Sequence, residues 1–473
     1  MSTKTTFPGR LVMLGFGAIG QCSLPMLLDF FDLPADRTLV AAKDEVPQRF
    51  APFARRGIPF LRRTITRENA ARVMAELARP GDLVLNLTVA VDSIAIADWC
   101  HRNGVGYVDT AIEPWEDAGQ DFNLPPSERT EYAFHTRARE AAQAWRADGP
   151  TVVYTHGANP GIVNQFAKAA LLDVAKAMGL DHDVPSTREQ WARLARATGT
   201  KVIHIAERDT QVSATPKQPG EFVNTWSIPG FVEEAMMPAE LGWGTHEKRL
   251  PDGARGHEHG PRNAIYFTRP GGEVLLRSWV PIGGTIAGVA IAHSETVTLS
   301  DYLTVVEDGK PVYRPTVCFV YLACDGAMAS LHETMMRGWR LQERERLMND
   351  DIIEGRDELG VLLLGHGLGG WWYGSQLDIH EARRLVPGNN PTAVQVAAGA
   401  VAATVWAAQN PAMGFREPEH LPHDEILKTA WPYLGPMVSA PTDWTPFKDR
   451  RRLFEEPWTD PSDPWQFGNF LIR

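Results

Sequence analysis

The chain has 473 residues, of which 44% are hydrophobic, and a formal net charge of −11. That length exceeds what one ordinary core fills and predicts two large units. The acidic balance argues against a nucleic-acid partner, because phosphate binding needs a basic face; it suits a cationic substrate, and equally it suits solubility alone.

Cys22, Cys100, Cys318 and Cys324 are scattered without metal-knuckle or disulfide spacing, so reduced, buried thiols and a cytoplasmic setting are expected. No apolar run is read as reaching the roughly 18 residues of a bilayer span, and the first residues carry no apolar signal core. No membrane partner is therefore expected.

In the first third, short apolar runs alternate with helical patterns, which predicts an α/β fold with a parallel sheet. Strands are expected at 11–14, 38–42, 83–87, 106–109 and 151–155, with a further one at 58–61. Helices are expected at 18–31, 67–78, 92–103 and 127–146, the second capped by Thr66 and stopped by Pro80-Gly81. Residues 1–160 thus read as an N-terminal Rossmann dinucleotide-binding domain. A helix at 162–178 then leads into strand-like segments at 201–206, 263–268, 274–280, 295–303, 316–322 and 360–364. Residues 161–389 read as a second, α+β substrate and dimerisation domain. The Ala/Val-rich stretch 392–408 is apolar nearly all round and predicts a buried helix that returns to complete the first domain or to pack at the domain junction. Residues 411–473, with Trp431, Trp444, Trp458 and Trp465, read as an extended Trp/Pro-rich tail over another surface, such as a partner subunit.

The strongest motif is Gly15-Phe16-Gly17-Ala18-Ile19-Gly20, between a predicted strand and a predicted helix. Gly15 permits the tight turn, Gly17 admits the pyrophosphate, Gly20 allows close helix–strand packing, and the N–H groups of the helix start face the phosphates. Asp44 follows the second strand as a partner for the ribose hydroxyls, with Glu45 as an alternative; a carboxylate there disfavours a 2′-phosphate and selects NAD over NADP, against which Lys43 weighs slightly. Thr88, Asp109 and Thr110 lie where predicted strands end and would border the ribose and nicotinamide, unless they are ordinary turn residues. The second glycine-rich stretch, 364–370, lacks the helix and Lys-Ser/Thr of a phosphate loop, and a tight turn near the active site is expected there.

The glycine turn, Tyr107-Val108-Asp109-Thr110 and His156-Gly157-Ala158-Asn159-Pro160-Gly161 together resemble the saccharopine-dehydrogenase-like group. Within it the chain is most similar to the bacterial homospermidine synthases, a similarity that extends through Glu207-Arg208-Asp209-Thr210-Gln211, Asn224-Thr225-Trp226-Ser227 and Ala292-His293-Ser294-Glu295. The resemblance implies a homodimeric, NAD-dependent aminobutyl transferase that condenses two putrescines, or spermidine and putrescine, into homospermidine with loss of ammonia.

That chemistry needs a base, because hydride leaves the carbon beside nitrogen only when the nitrogen has a free lone pair. It also needs carboxylates and aromatic faces for the ammonium groups, and exclusion of water from the imine. With 15 tryptophans in the chain, it is the resemblance that selects Trp226 as the cation–π face. Glu207, ending an apolar strand, suits a base or an ammonium clamp, with an ion pair to Arg208 as the alternative. Glu234 neighbours Glu233, a pair that reads as a solvated face or else raises one pKa toward a proton acceptor, and the resemblance favours Glu234 as the anchor of the distal ammonium. His293 follows a Gly/Ala-rich strand and suits proton transfer as a neutral imidazole, or else is structural. Asn159 suits the amine or the carboxamide, or caps the following helix. Asp109, Glu113 and Glu116 would form an acidic vestibule for diamines, or a solvated loop. No metal site is expected. A saccharopine-type dehydrogenase with net redox turnover and a non-catalytic NAD-binding module are the competing readings.

Overall fold

A computed structural model describes residues 4–115 and 123–473. Two compact units are present. The first comprises Met1–Asn123, Phe134–Ile162 and Ala382–Leu434; the second comprises Leu124–Ala133, Val163–Glu381 and Gly435–Arg473.

In the first unit, β1 (Leu11–Leu14), β2 (Thr38–Ala42), β3 (Phe60–Arg62), β4 (Leu83–Asn86), β5 (Gly106–Asp109) and β6 (Val152–Val153) form a parallel sheet with Phe415–Arg416. The order is 415–416, β6, β5, β4, β1, β2, β3. Strands β1, β2 and β4 are buried along their whole length, which is why they read as continuous apolar runs rather than as alternating ones. Helices α1 (Ala18–Phe30), α2 (Pro47–Arg55), α3 (Ala70–Leu77), α4 (Ser93–Arg102) and α5 (Glu131–Ala142) belong to the intervening segments. Helix α2, whose nine residues include two prolines, is not among the expected helices. Thr66 is not the cap of α3. The helix starts later, behind Asn69, whose side-chain oxygen accepts the Thr66 backbone N–H at 2.9 Å.

The helix Pro391–Gln409 packs on α1 and on β4 and β5. By length and hydropathy it would pass for a membrane span, so the expectation that no run reaches that length needs correction; alanine and valine supply the apolarity, and 89% of its most apolar window is buried inside the fold. The helix comes so close to the turn after β6 that a Cβ on Gly399 would collide with the Gly157 carbonyl.

The second unit contains α6 (Ile162–Ala177), α7 (Arg188–Thr198), β7 (Val202–Asp209), α8 (Ile228–Met236) and α9 (Ser294–Tyr302) around a mixed 11-stranded sheet. Strand β7 is central, parallel to Thr316–Leu322 on one side and antiparallel to Arg356–His366 on the other. Residues 295–303 were expected as a strand because Val, Thr and Leu dominate there; they form α9 instead. Eight of its nine residues are buried, so the helix has no polar face to impose a 3.6-residue period on the sequence.

Residues 411–473 do not form one extended tail. Phe415–Arg416 joins the first sheet, His423–Ala430 is a helix, and Met437–Thr442 pairs with Gly369–Asp378 in the second. Trp444 is buried in the core of its own unit and donates its indole N–H to Thr285 Oγ1 at 2.9 Å. The turn at 365–369 closes the hairpin Arg356–His366/Gly369–Asp378 at the Val202 end of β7. In register terms it is six residues from Leu359, the partner of Glu207, or roughly 20 Å along the strand, so it does not adjoin that residue.

Gly399→Ala should lower the unfolding free energy by about 2–3 kcal/mol, because neither backbone can retreat without disturbing a buried helix. Denaturant titration checks this, and an unchanged midpoint would show that the close contact is readily relieved.

Candidate active site

The glycine turn is fixed by its surroundings. Phe16, between the first two glycines, is buried and packs edge-on against Phe50, Phe53 and Phe60 at 5.2, 6.2 and 6.3 Å. Gly15 has φ +90°, and a Cβ there would stand 2.6 Å from the Leu87 carbonyl oxygen. A Cβ on Gly20 would stand 2.7 Å from the Gly15 carbonyl. Gly17 is different: its Cβ position is open, and no side chain caps the helix it starts. Two glycines therefore make the turn and the third leaves room over the N–H groups of Gly17, Ala18 and Ile19, a cradle with the chemistry a pyrophosphate requires. Asp44 is exposed just past β2, on the edge where Gly15 N–H binds the Ala41 carbonyl at 2.8 Å.

The other predicted residues of this unit fall into two groups. Thr88 is half-buried beside Gly15 and donates its hydroxyl to Asn86 Oδ1 at 2.6 Å; Thr110 is half-buried next to the Gly157 turn, which also holds Asn159. These four segments line the carboxyl edge of the sheet, where open α/β folds bind ligands. Asp109 is different, being only 1% exposed. Its carboxylate accepts the Thr155 N–H at 2.6 Å and the Tyr107 hydroxyl at 2.8 Å, and burial pushes its pKa up to about 8. It is a buried brace between β5 and the segment after β6 and lines no vestibule. Glu113 is likewise engaged, accepting the Ala90 N–H at 3.1 Å. Glu116 lies outside the described residues.

In the second unit, register brings together residues distant in sequence. Glu207 on β7 pairs with Tyr321 on one side and Leu359 on the other, while Asp209 pairs with Asp357. Alternation puts Glu207, Asp209, Asp357 and Tyr321 on one face, and all four are buried. Arg208 points to the opposite face and reaches Glu358 at 3.3 Å, so it is not the partner of Glu207. Trp226 is half-buried and donates its indole N–H to the Tyr321 hydroxyl at 3.2 Å. Tyr321 stacks on Phe319 at 5.6 Å, and His293 lies 4.1 Å from Phe319. The result is an aromatic row, Trp226–Tyr321–Phe319–His293, with Glu207, Asp209 and Asp357 at one end.

Glu234 and Glu295 stand at the other end. His293 Nε2 lies 3.1 Å from Glu234 Oε2, and Nδ1 lies 3.3 Å from Glu295 Oε1. Burial alone would lower the imidazole pKa, but the two carboxylates outweigh it and hold His293 well above its ordinary value. The two carboxylates thus favour the imidazolium over the neutral base expected from sequence. Burial raises the Glu234 pKa, His293 opposes that shift, and Glu295 adds to it. An acid remote in sequence, Glu295, thus adds to the upward shift of Glu234. Glu295 itself is fully buried, on the first turn of α9.

Tyr321, Asp209, Asp357 and Glu295 were not singled out from sequence. Asp209 and Glu295 stood inside the quoted segments, and period-2 spacing from Glu207 marks Asp209; Tyr321 and Asp357 depend on strand pairings across 114 and 148 residues (321 − 207 and 357 − 209), which no local signal reveals.

Residues 11–153 match the family model described as saccharopine dehydrogenase NADP binding domain, and residues 157–440 match saccharopine dehydrogenase C-terminal domain. The chain is 43% identical to a homospermidine synthase of Blastochloris viridis, with 98% of each chain covered. It is 40% identical to one from Mesorhizobium japonicum, covering 98% of this chain and 96% of that one. Among solved structures, a homospermidine synthase of Legionella pneumophila in complex with NAD matches over 100% of both chains at 39% identity and a TM-score of 0.93. This chain belongs to the homospermidine synthase family, within the saccharopine dehydrogenase group.

Proposed function

We propose that this protein condenses two putrescines, or spermidine and putrescine, into homospermidine with release of ammonia, using NAD. The observation that carries this reading is the aromatic row of the second unit, flanked at one end by buried Glu207, Asp209 and Asp357 and at the other by half-buried Glu234 and buried Glu295, because a flexible diammonium offers one cation to each end and an apolar stem to the rings between. The relatives named above support the same reading.

When bound, NAD would supply a reversible hydride acceptor for the carbon beside the reacting nitrogen. Gly15, Gly17, Ala18, Ile19 and Gly20 would hold its pyrophosphate, Asp44 its ribose hydroxyls, and Thr88, Thr110 and Asn159 its remaining edge. The chain's own residues supply the rest. Glu207 attracts the reacting ammonium and suits the acceptance of its proton. The Trp226 face favours the iminium that forms when hydride departs, an attraction of up to ~2 kcal/mol where water is excluded. Glu234 takes the distal ammonium. Because that ammonium competes with His293 for the same carboxylate, its arrival weakens the hold of His293 on its proton. Buried rings limit the water that would hydrolyse the imine.

We further propose a cytoplasmic homodimer without nucleic-acid or membrane partners. Four free, buried cysteines suit a reducing compartment, and Leu453 and Phe454, 76% and 85% exposed, offer apolar surface to a second copy.

Purified protein with putrescine and substoichiometric NAD should form homospermidine and ammonia without accumulating NADH; steady NADH release would instead identify a net dehydrogenase. Trp226→Phe should keep part of the activity, and Trp226→Ala should lose about 30-fold in kcat/KM for putrescine. Equal activities in the two variants would contradict a cation–π role.

A further inference from the structure

Trp226 sits in the three-residue connection between the strand Glu221–Asn224 and α8. On its far side, Ser227 caps α8 by accepting the Gly230 N–H at 3.2 Å, a contact local to the helix. On its near side, the Thr225 hydroxyl donates to Asp209 Oδ2 at 2.8 Å, which ties the connection to the last residue of β7. The other carboxylate oxygen, Oδ1, accepts the Gln211 backbone N–H at 2.8 Å and its side-chain amide at 3.0 Å. The indole is then closed in from beyond, by Tyr321 at its N–H, by Phe231 at 5.6 Å between centroids, and by Gly230, where a Cβ would stand 3.3 Å from the ring.

A carboxylate at this place is costly. Asp209 is 3% exposed and faces Asp357 across the strand pair and Glu207 along its own strand. Burial pushes its pKa up to about 6 despite its three donors. Charge-assisted bonds are the stronger kind, and a buried acid that holds two chain segments at once fixes their separation more firmly than a neutral side chain would.

We propose that Asp209, acting through Thr225, is the positioning residue that fixes the Trp226 indole over the cation-binding row. This inference rests on the reading of Trp226 as the cation-binding face. Asp209 touches neither substrate nor cofactor in this account; it sets where the ring lies.

The test uses full-length protein labelled with 5-fluorotryptophan and saturated with NAD, with putrescine as the substrate. Trp226→Phe identifies the Trp226 fluorine resonance by its disappearance. In Thr225→Val, which keeps the shape and removes the hydroxyl, that resonance should shift or broaden while the other tryptophans stay in place. The kcat/KM for putrescine should fall about tenfold with NAD affinity unchanged, since a buried charged acceptor loses its donor. Thr225→Ser should restore both, and Asp209→Ala should reproduce the Thr225→Val effects. An unmoved Trp226 resonance in Thr225→Val overturns the proposal, as does a moved resonance with unchanged putrescine turnover. Trp226→Ala separates the two levels. If that variant also turns over putrescine normally, it is the cation–π reading itself that has failed.

Discussion

Burial of carboxylates against aromatic rings is the constraint on which this structure turns. An acid taken out of water strongly favours a nearby cation or a proton, and a ring face favours a cation as well. On one face of the second sheet Glu207, Asp209 and Asp357 are buried within reach of Tyr321 and Trp226, and at the other end of the row Glu234 and Glu295 enclose His293. Such an arrangement discriminates for diamines over amino acids, because a substrate carboxylate would meet like charge at either end. The same field raises the pKa of His293 and favours its imidazolium. In the proposed reaction an incoming ammonium would alter that balance by electrostatics, which would couple substrate binding to proton availability.

The first unit solves a different problem. A pyrophosphate needs bare backbone N–H groups and the absence of side chains, and the glycine turn supplies these by steric exclusion rather than by charge. Gly15 and Gly20 are required by close carbonyls, and Gly17 by the open space over it. Phe16 anchors the turn into an aromatic cluster contributed by α2 and β3, so elements without chemistry of their own hold the cradle still. The Pro391–Gln409 helix closes against the same sheet, and Gly399 lets it come near the Gly157 turn.

How legible all this is in the sequence follows from the range of each signal. Short strands buried on both faces are visible as apolar runs, and β1, β2 and β5 match their predicted limits. The glycine turn is legible because its constraints act over six residues. Helix α9 is misread because burial on every side erases amphipathic period, and α2 because two prolines mask it. In the site, the end of an apolar strand marks Glu207 and family resemblance selects Trp226, while Tyr321 and Asp357 depend on strand register. The misassigned roles have one physical origin: Asp109 and His293 were judged by residue type, whereas burial and neighbouring groups decide their charge and access.

The central claim is that hydride is borrowed from a diamine and returned within one site. The direct measurement uses putrescine deuterated at both carbons next to nitrogen, with catalytic NAD and an excess of unlabelled free NADH, followed by mass spectrometry of the polyamine. The account predicts homospermidine that keeps all the deuterium of both precursors, because the deuteride never leaves the site. Product that has exchanged deuterium for hydrogen at the bridging carbon, with label appearing in free NADH, would contradict it.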